Sequence, residues 1–283
     1  MDTADIKPTN LMPCYARSFM DIPFSQEFSD AVNAERARDL FVNDNPIEYF
    51  VSFMESRYKA IDELIKRNNI NQIIELAAGW SPRGLIMTKD SKINYIETDQ
   101  DPKEIKQKIV VTKELVGETR ANLHCLLLDV VTGEGISNVE DKLHSAPVCI
   151  VHEGLFRYFS HDLKTKTVKN IISILRKHGS VYITPDIYTD VRTAEMNKVV
   201  NVDKINSDHS QSTGVDIRSN EFKDITEAKK FFTDLGLDVK MYKQGELVSD
   251  FSCVNHPSLN KKLLVDIIEV VKRRDIFEMS LIN

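Results

Sequence analysis

The chain has 283 residues, a formal net charge of −6 and 42% hydrophobic residues. That length suits one large α/β domain with an appended lid, and the acidic balance gives no broad electrostatic pull toward nucleic acid. Four dispersed cysteines, Cys14, Cys125, Cys149 and Cys253, form no Cys-x-x-Cys, which argues against a zinc site or a disulfide framework and fits a reducing, cytoplasmic compartment.

The opening Met1-Asp2-Thr3-Ala4-Asp5 is acidic and polar, unlike a secretion signal. No apolar run approaches the ~18 residues of a membrane span. Residues 1–45 carry Pro8, Pro13 and Pro23 among short apolar groups, which predicts an irregular arm or lid with one or two short helices. Its Phe19, Phe24, Phe28 and Phe41 suit packing over a pocket or over the core.

The main domain is expected over 46–283. Asn45-Pro46-Ile47-Glu48 reads as a helix start, with an Asn cap and Pro at the first helical position. Ile47, Phe50, Val51, Met54, Tyr58, Ile61, Leu64 and Ile65 then recur at helical spacing, and the helix should end near Asn68-Asn69. Arg57 lies in its second half.

Next comes Gln72-Ile73-Ile74-Glu75-Leu76-Ala77-Ala78-Gly79-Trp80-Ser81-Pro82-Arg83-Gly84. Its Ile-rich start suits a strand buried on both faces, over about 71–77. The small residues after it let a ligand approach the backbone where strand turns into helix. In open parallel sheets nucleotide-like ligands sit at that turn. A dinucleotide fingerprint needs Gly-x-Gly-x-x-Gly to seat a pyrophosphate. Here the matching positions are Ala77, Gly79 and Pro82, so a nicotinamide cofactor is disfavoured. S-adenosylmethionine (SAM) has no phosphate and asks less of the turn.

Strand and helix then alternate. Strands are expected at 93–98, 123–128, 147–153 and 180–184, with helices from Pro102 and over Leu163 to Leu175. Residues 186–224 form a variable insertion: Val191 to Val202 reads as helix and Asp203 to Asn220 as a polar loop beside the substrate pocket. A helix near 227–235, a strand near 237–242, a helix through Leu259 to Val271 and a last strand near 276–282 follow. This order predicts a Rossmann-like, doubly wound, seven-stranded and mostly parallel sheet.

Five blocks at the ends of successive elements resemble the leucine carboxyl methyltransferase family, which includes polyketide-type O-methyltransferases. They are Arg57 ahead of strand one, Leu76-Ala77-Ala78-Gly79 with Arg83, Tyr95-Ile96-Glu97-Thr98-Asp99, Asp129, and Glu153-Gly154-Leu155-Phe156-Arg157-Tyr158. Ala16-Arg17-Ser18 loosely resembles the family's N-terminal lid. The likeness covers roughly residues 14–190. Ala77 in place of the usual Gly and Trp80-Ser81-Pro82 depart from its pattern.

The resemblance implies a class I SAM-dependent O-methyltransferase. It gives the cofactor carboxylate to Arg57, with Arg83 as second candidate. It gives the ribose to Asp99, with Glu97 on the same strand face as alternative, and the adenine amino group to Asp129 beside Val130. Ala77 and Gly79 form the turn, and Glu153 faces the cofactor. Arg157 and Tyr158 are candidates for positioning the acceptor. A carboxylate acceptor needs no general base; a hydroxyl would draw on His152, His161 or Glu153. No metal is expected. The acceptor is a carboxyl or hydroxyl of a small molecule, with a protein C-terminal carboxylate as second class and a non-catalytic SAM-binding module as a different kind of answer.

Overall fold

The apolar runs become neighbours in one sheet. In the computed structural model, which describes residues 8–41 and 46–282, β1 is Gln72–Leu76, β2 Asn94–Asp99, β3 Leu123–Leu127, β4 Val148–His152, β5 Ser180–Thr184, β6 Leu237–Lys243 and β7 Asp275–Leu281. Their order is β3-β2-β1-β4-β5-β7-β6. The first five pair in parallel, and β7 runs antiparallel to both β5 and β6. The order reverses between β1 and β4, and the crevice at such a switch point is where open α/β sheets bind ligands.

Twelve α-helices of the described residues surround the sheet. They are α1 Pro8–Arg17, α2 Ser25–Ala31, α3 Ile47–Asn68, α4 Arg83–Met87, α5 Pro102–Val116, α6 Ile136–Glu140, α7 His161–His178, α8 Asp190–Met196, α9 Val202–Thr213, α10 Ile225–Asp234, α11 Gln244–Leu247 and α12 Lys261–Val271. Strand alternation sorts the core into two layers. Ile73, Tyr95, Cys149 and Ile183 join Ile61 and Leu64 of α3 and Leu264 of α12 on one face. Ile74, Ile96, Ile150 and Tyr182 join Val168 and Ile171 of α7 and Phe232 of α10 on the other. β1 and β4, buried along their whole length between the two layers, read as apolar runs, whereas the edge strand β6 alternates apolar and polar.

Local signals fix several boundaries. Asp101 caps α5 by accepting from the Lys103 N–H at 2.9 Å, and Pro102 opens the helix. Asn69 ends α3 in the left-handed conformation. Pro46 precedes α3 with extended backbone; the expected Asn45 cap lies outside the described residues. The arm folds as α1, α2 and a 3-10 turn over Ala34–Leu40. Its aromatic rings pack on the core: Phe28 lies 6.1 Å from Trp80 and Phe41 lies 5.4 Å from Phe50, ring centre to ring centre.

Residues 186–224 depart from expectation. The helix expected over 191–202 breaks into α8 and α9, and most of the expected polar loop is α9. Asn201 caps α9 through the Lys204 N–H at 3.1 Å. The buried side of α9 carries Asn206 and His209 beside Val202 and Ile205, so it shows no clean apolar stripe.

Gly84 lets α4 lie close on β2. A Cβ there would stand 2.5 Å from Glu97 Oε1 and 2.9 Å from Leu123 Cδ1. Gly84→Ala is expected to destabilise the fold by about 1–3 kcal/mol through overpacking. Urea unfolding tests this, and an unchanged midpoint would mean that the contact yields without cost.

Candidate functional site

The β1–α4 turn is wound left-handed twice, at Ala77 (φ 50°) and Gly79 (φ 48°). The Ala78 N–H donates to the Thr98 carbonyl at 2.8 Å, tying the turn to β2. An alanine in this region costs about 1–2 kcal/mol relative to right-handed backbone. The departure at position 77 is therefore a matter of backbone strain as well as of methyl bulk.

Against this turn lies a cavity of about 470 Å³. Arg57, Ala77, Gly79, Asp99, Asp129, Val130, Glu153, Arg157 and Tyr158 all line it. The carboxyl ends of β1, β2, β3 and β4 supply its floor. Residues of α1 and α3 form the opposite wall, and Trp80, 2% exposed, closes one side.

Two candidates, Arg83 and Glu97, lie outside the wall, and for the same reason. Glu75 and Glu97 are register partners on β1 and β2, so their carboxylates are neighbours in the core. Arg83 and Lys108 are drawn in to neutralise them. Arg83, fully buried, ion-pairs with Glu75, with Asp62 at 2.6 Å and with Glu153 at 3.2 Å, and it stacks 4.0 Å from the Tyr58 ring centre. Glu97 pairs with Lys108 Nζ at 2.9 Å, and burial raises its pKa. Arg83 is thus held among carboxylates behind the cavity wall, and Glu97 is engaged by Lys108.

Glu153 joins that network to the cavity. Its Oε2 accepts from Arg83. Its Oε1 is buried without a hydrogen-bond partner, 3.8 Å from Arg57 Nε and 3.9 Å from Arg17 Nη2. The Nε atoms of Arg57 and Arg17 are likewise buried without a hydrogen-bond partner. Arg57 is held from behind: Nη2 donates to Asp186 Oδ1 at 2.5 Å and Nη1 to the Tyr188 hydroxyl at 2.7 Å. Burial opposes its charge, but Tyr188, Asp186 and Glu153 more than offset that and raise its pKa.

Asp99 ends β2 with its carboxylate at the cavity, accepting from the Asp101 N–H at 3.2 Å. Burial outweighs those backbone bonds and raises its pKa. Asp129 Oδ1 already accepts from the N–H groups of Val131 (2.8 Å) and Thr132 (3.1 Å). Burial raises its pKa, but those N–H bonds more than reverse this, and the net shift is downward.

Sequence reading missed Asp186, Tyr188 and His209, and gave Arg17 only a loose family likeness. Asp186 carried one usable signal: like Asp129, it is an acid just past the carboxyl end of a strand. Of the base candidates, Glu153 is on the wall, and His152 and His161 are not. His152 lies between Asp186 (3.1 Å) and the Tyr182 hydroxyl (2.6 Å), and His161 packs on Phe222. His209 does line the cavity, but burial, with Arg157 beside it, pushes its pKa down to about 3. Among the described residues, no His/Cys/Asp/Glu group could hold a metal ion, and no helix is long and apolar enough to cross a membrane.

No family model matches the sequence, and no curated protein does either. Solved structures do match. The methyltransferase domain of bacterial CtHen1-C aligns with a TM-score of 0.51 at 11% identity, over 80% of this chain and 97% of that one. Magnesium protoporphyrin IX methyltransferase (ChlM) from Synechocystis PCC 6803, solved with SAH, aligns with a TM-score of 0.51 at 9% identity, over 90% and 97%. With its mostly parallel sheet and a cavity at the switch point, the chain has the Rossmann-like fold of the class I SAM-dependent methyltransferases.

Proposed function

We propose that the cavity binds SAM and that the protein transfers its methyl group to an oxygen, a carboxyl or hydroxyl, of a small molecule. The finer likeness to the leucine carboxyl methyltransferase family belongs to the same proposal. One observation carries it: Oε1 of Glu153 is buried at the carboxyl end of β4 between two guanidiniums, within ion-pair distance of both but without a hydrogen bond. A buried acid and buried bases with free hydrogen-bonding capacity are costly unless a ligand completes them. The amino-acid end of SAM brings an ammonium for Glu153 and a carboxylate for the Nε–H groups of Arg17 and Arg57.

Asp99 then suits the ribose hydroxyls, and the loop at Asp129-Val130 the adenine edge. When bound, the cofactor supplies a methyl group activated by a sulfonium. The chain supplies alignment and exclusion of water, which is most of what such a transfer needs. Arg157 and Tyr158 steer the acceptor. Burial, with Arg157 beside it, lowers the pKa of His209, and an acceptor already acidic at neutral pH needs no general base.

Isothermal titration with SAM and with SAH, using NAD as control, tests the reading. Micromolar binding of either and none of NAD is expected; no binding of either overturns it. Asp99→Ala is expected to weaken SAH binding by about 1–3 kcal/mol, the worth of charged hydrogen bonds. An unchanged dissociation constant would remove Asp99 from the ribose role, since Glu97 is not placed to take over.

A further inference from the structure

Three guanidiniums reach the cavity, and they are not equally neutralised. Arg57 has Asp186 at 2.5 Å, and Arg17 has Glu153 at 3.9 Å. Arg157 has no carboxylate within ion-pair distance among the described residues. Its Nη2 donates to a neutral amide, Asn206 Oδ1, at 2.9 Å, and its Nε is buried without a partner. The nearest acid along that chain is Glu221, and it is shielded. Its Oε1 accepts from Asn206 Nδ2 at 3.3 Å, and its Oε2 accepts from Thr193 at 3.0 Å and Arg218 at 2.6 Å. Asn206 therefore stands between the cation and the acid, holding the guanidinium without cancelling its charge.

Phe50, Phe53, Met54, Phe159 and Leu163 line the cavity with Arg157, together with the polar Tyr158 and His209, and the Tyr188 ring centre lies 5.5 Å from its guanidinium carbon. A guanidinium whose Nε is buried without a hydrogen-bond partner, and which has no counter-ion, is unfavourable unless an anion arrives with the ligand. We propose that the acceptor is an acidic molecule with an apolar body, and that Arg157, set by Asn206 of α9, grips its anionic group. This rests on the methyl-transfer reading of the cavity, and it assigns the α8–α9 segment a part in acceptor choice. A planar fork held by one bond keeps its other N–H groups for a carboxylate.

The test compares 2-naphthoate with its neutral isostere 2-naphthamide, titrated calorimetrically into SAH-saturated protein and into the protein alone. The acid is expected to bind at least about tenfold tighter than the amide, as a charge-assisted pair requires. Arg157→Gln should abolish that preference with SAH affinity retained, Arg157→Lys should restore part of it, and Asn206→Ala should reduce it. Equal binding of acid and amide to the wild type, no binding of the acid, or a preference that survives Arg157→Gln would each overturn the proposal. If Arg157→Gln does not fold, the wild-type comparison and Asn206→Ala decide. Failure of SAH to bind strikes the cofactor reading alone, because the titration without SAH still reads the acid preference.

Discussion

Replacing Asp186 with alanine is expected to destabilise the fold by about 3–5 kcal/mol, the size found when one member of a buried ion pair is removed. Its carboxylate is fully buried and every direction around it is used. Oδ1 accepts from Arg57 Nη2 at 2.5 Å and from the Gly154 N–H at 2.9 Å. Oδ2 accepts from the N–H groups of Leu155 (2.6 Å) and Phe156 (3.0 Å) and lies 3.1 Å from His152 Nδ1. Alanine would strand a buried guanidinium and three backbone donors together. Asn should cost less, since an amide oxygen still accepts. Burial pushes the Asp186 carboxyl up, but Arg57, His152 and the backbone donors more than reverse this, and it sits well below the usual carboxylate range. A depressed folded-state pKa means stability that is present above the unfolded value, about 4, and lost as pH falls toward the folded one. The gap between wild type and Asp186→Ala, read from urea unfolding, should be widest near neutrality and narrow below about pH 4. A gap that is equal at pH 3 and pH 7, or under about 1 kcal/mol at pH 7, would contradict this account.

The same residue marks where sequence reading stops. Asp186 meets Arg57 across 129 positions and the Gly154–Phe156 turn across 30 to 32. No local pattern encodes such contacts. The central strands were legible because strands covered on both faces have to be apolar, and β5 begins and ends where its run does, at Ser180 and Thr184. Asp99, Asp129 and Glu153 were legible because an acid past a buried strand lands at the ligand end of a parallel sheet. Arg83 and Glu97 read as cofactor residues for the same reason. The alternative was decided by a tertiary fact, that Glu75 and Glu97 are register partners and need Arg83 and Lys108 between the sheet and α3 and α5. Helix α9 was hidden by its own role: it turns Asn206 and His209 inward, so hydrophobic periodicity has little to report.

Glu153→Gln is expected to weaken SAH binding by about 2–4 kcal/mol, roughly 30- to 1000-fold. The substitution keeps the shape and reverses the hydrogen-bonding sense where it matters. Arg83 Nη2 donates to Oε2 at 3.2 Å, so the amide turns its oxygen toward Arg83 and its N–H groups toward the cavity. Those N–H groups would then face the ammonium that Oε1 is placed to receive, beside Arg17 and Arg57. 5′-Methylthioadenosine carries the same nucleoside without the amino-acid end. Its affinity should stay within about twofold in Glu153→Gln, because nothing it offers meets that carboxylate. Asp99→Ala should instead weaken both ligands, since both carry the ribose. Parallel calorimetric titrations of the two variants with the two ligands separate the cases. Equal losses for both ligands in Glu153→Gln would mean that the variant deforms the cavity, and an unchanged SAH affinity would mean that the ammonium is held elsewhere. A loss confined to SAH would place the amino-acid end of the cofactor at the point where the Arg83 network opens into the cavity.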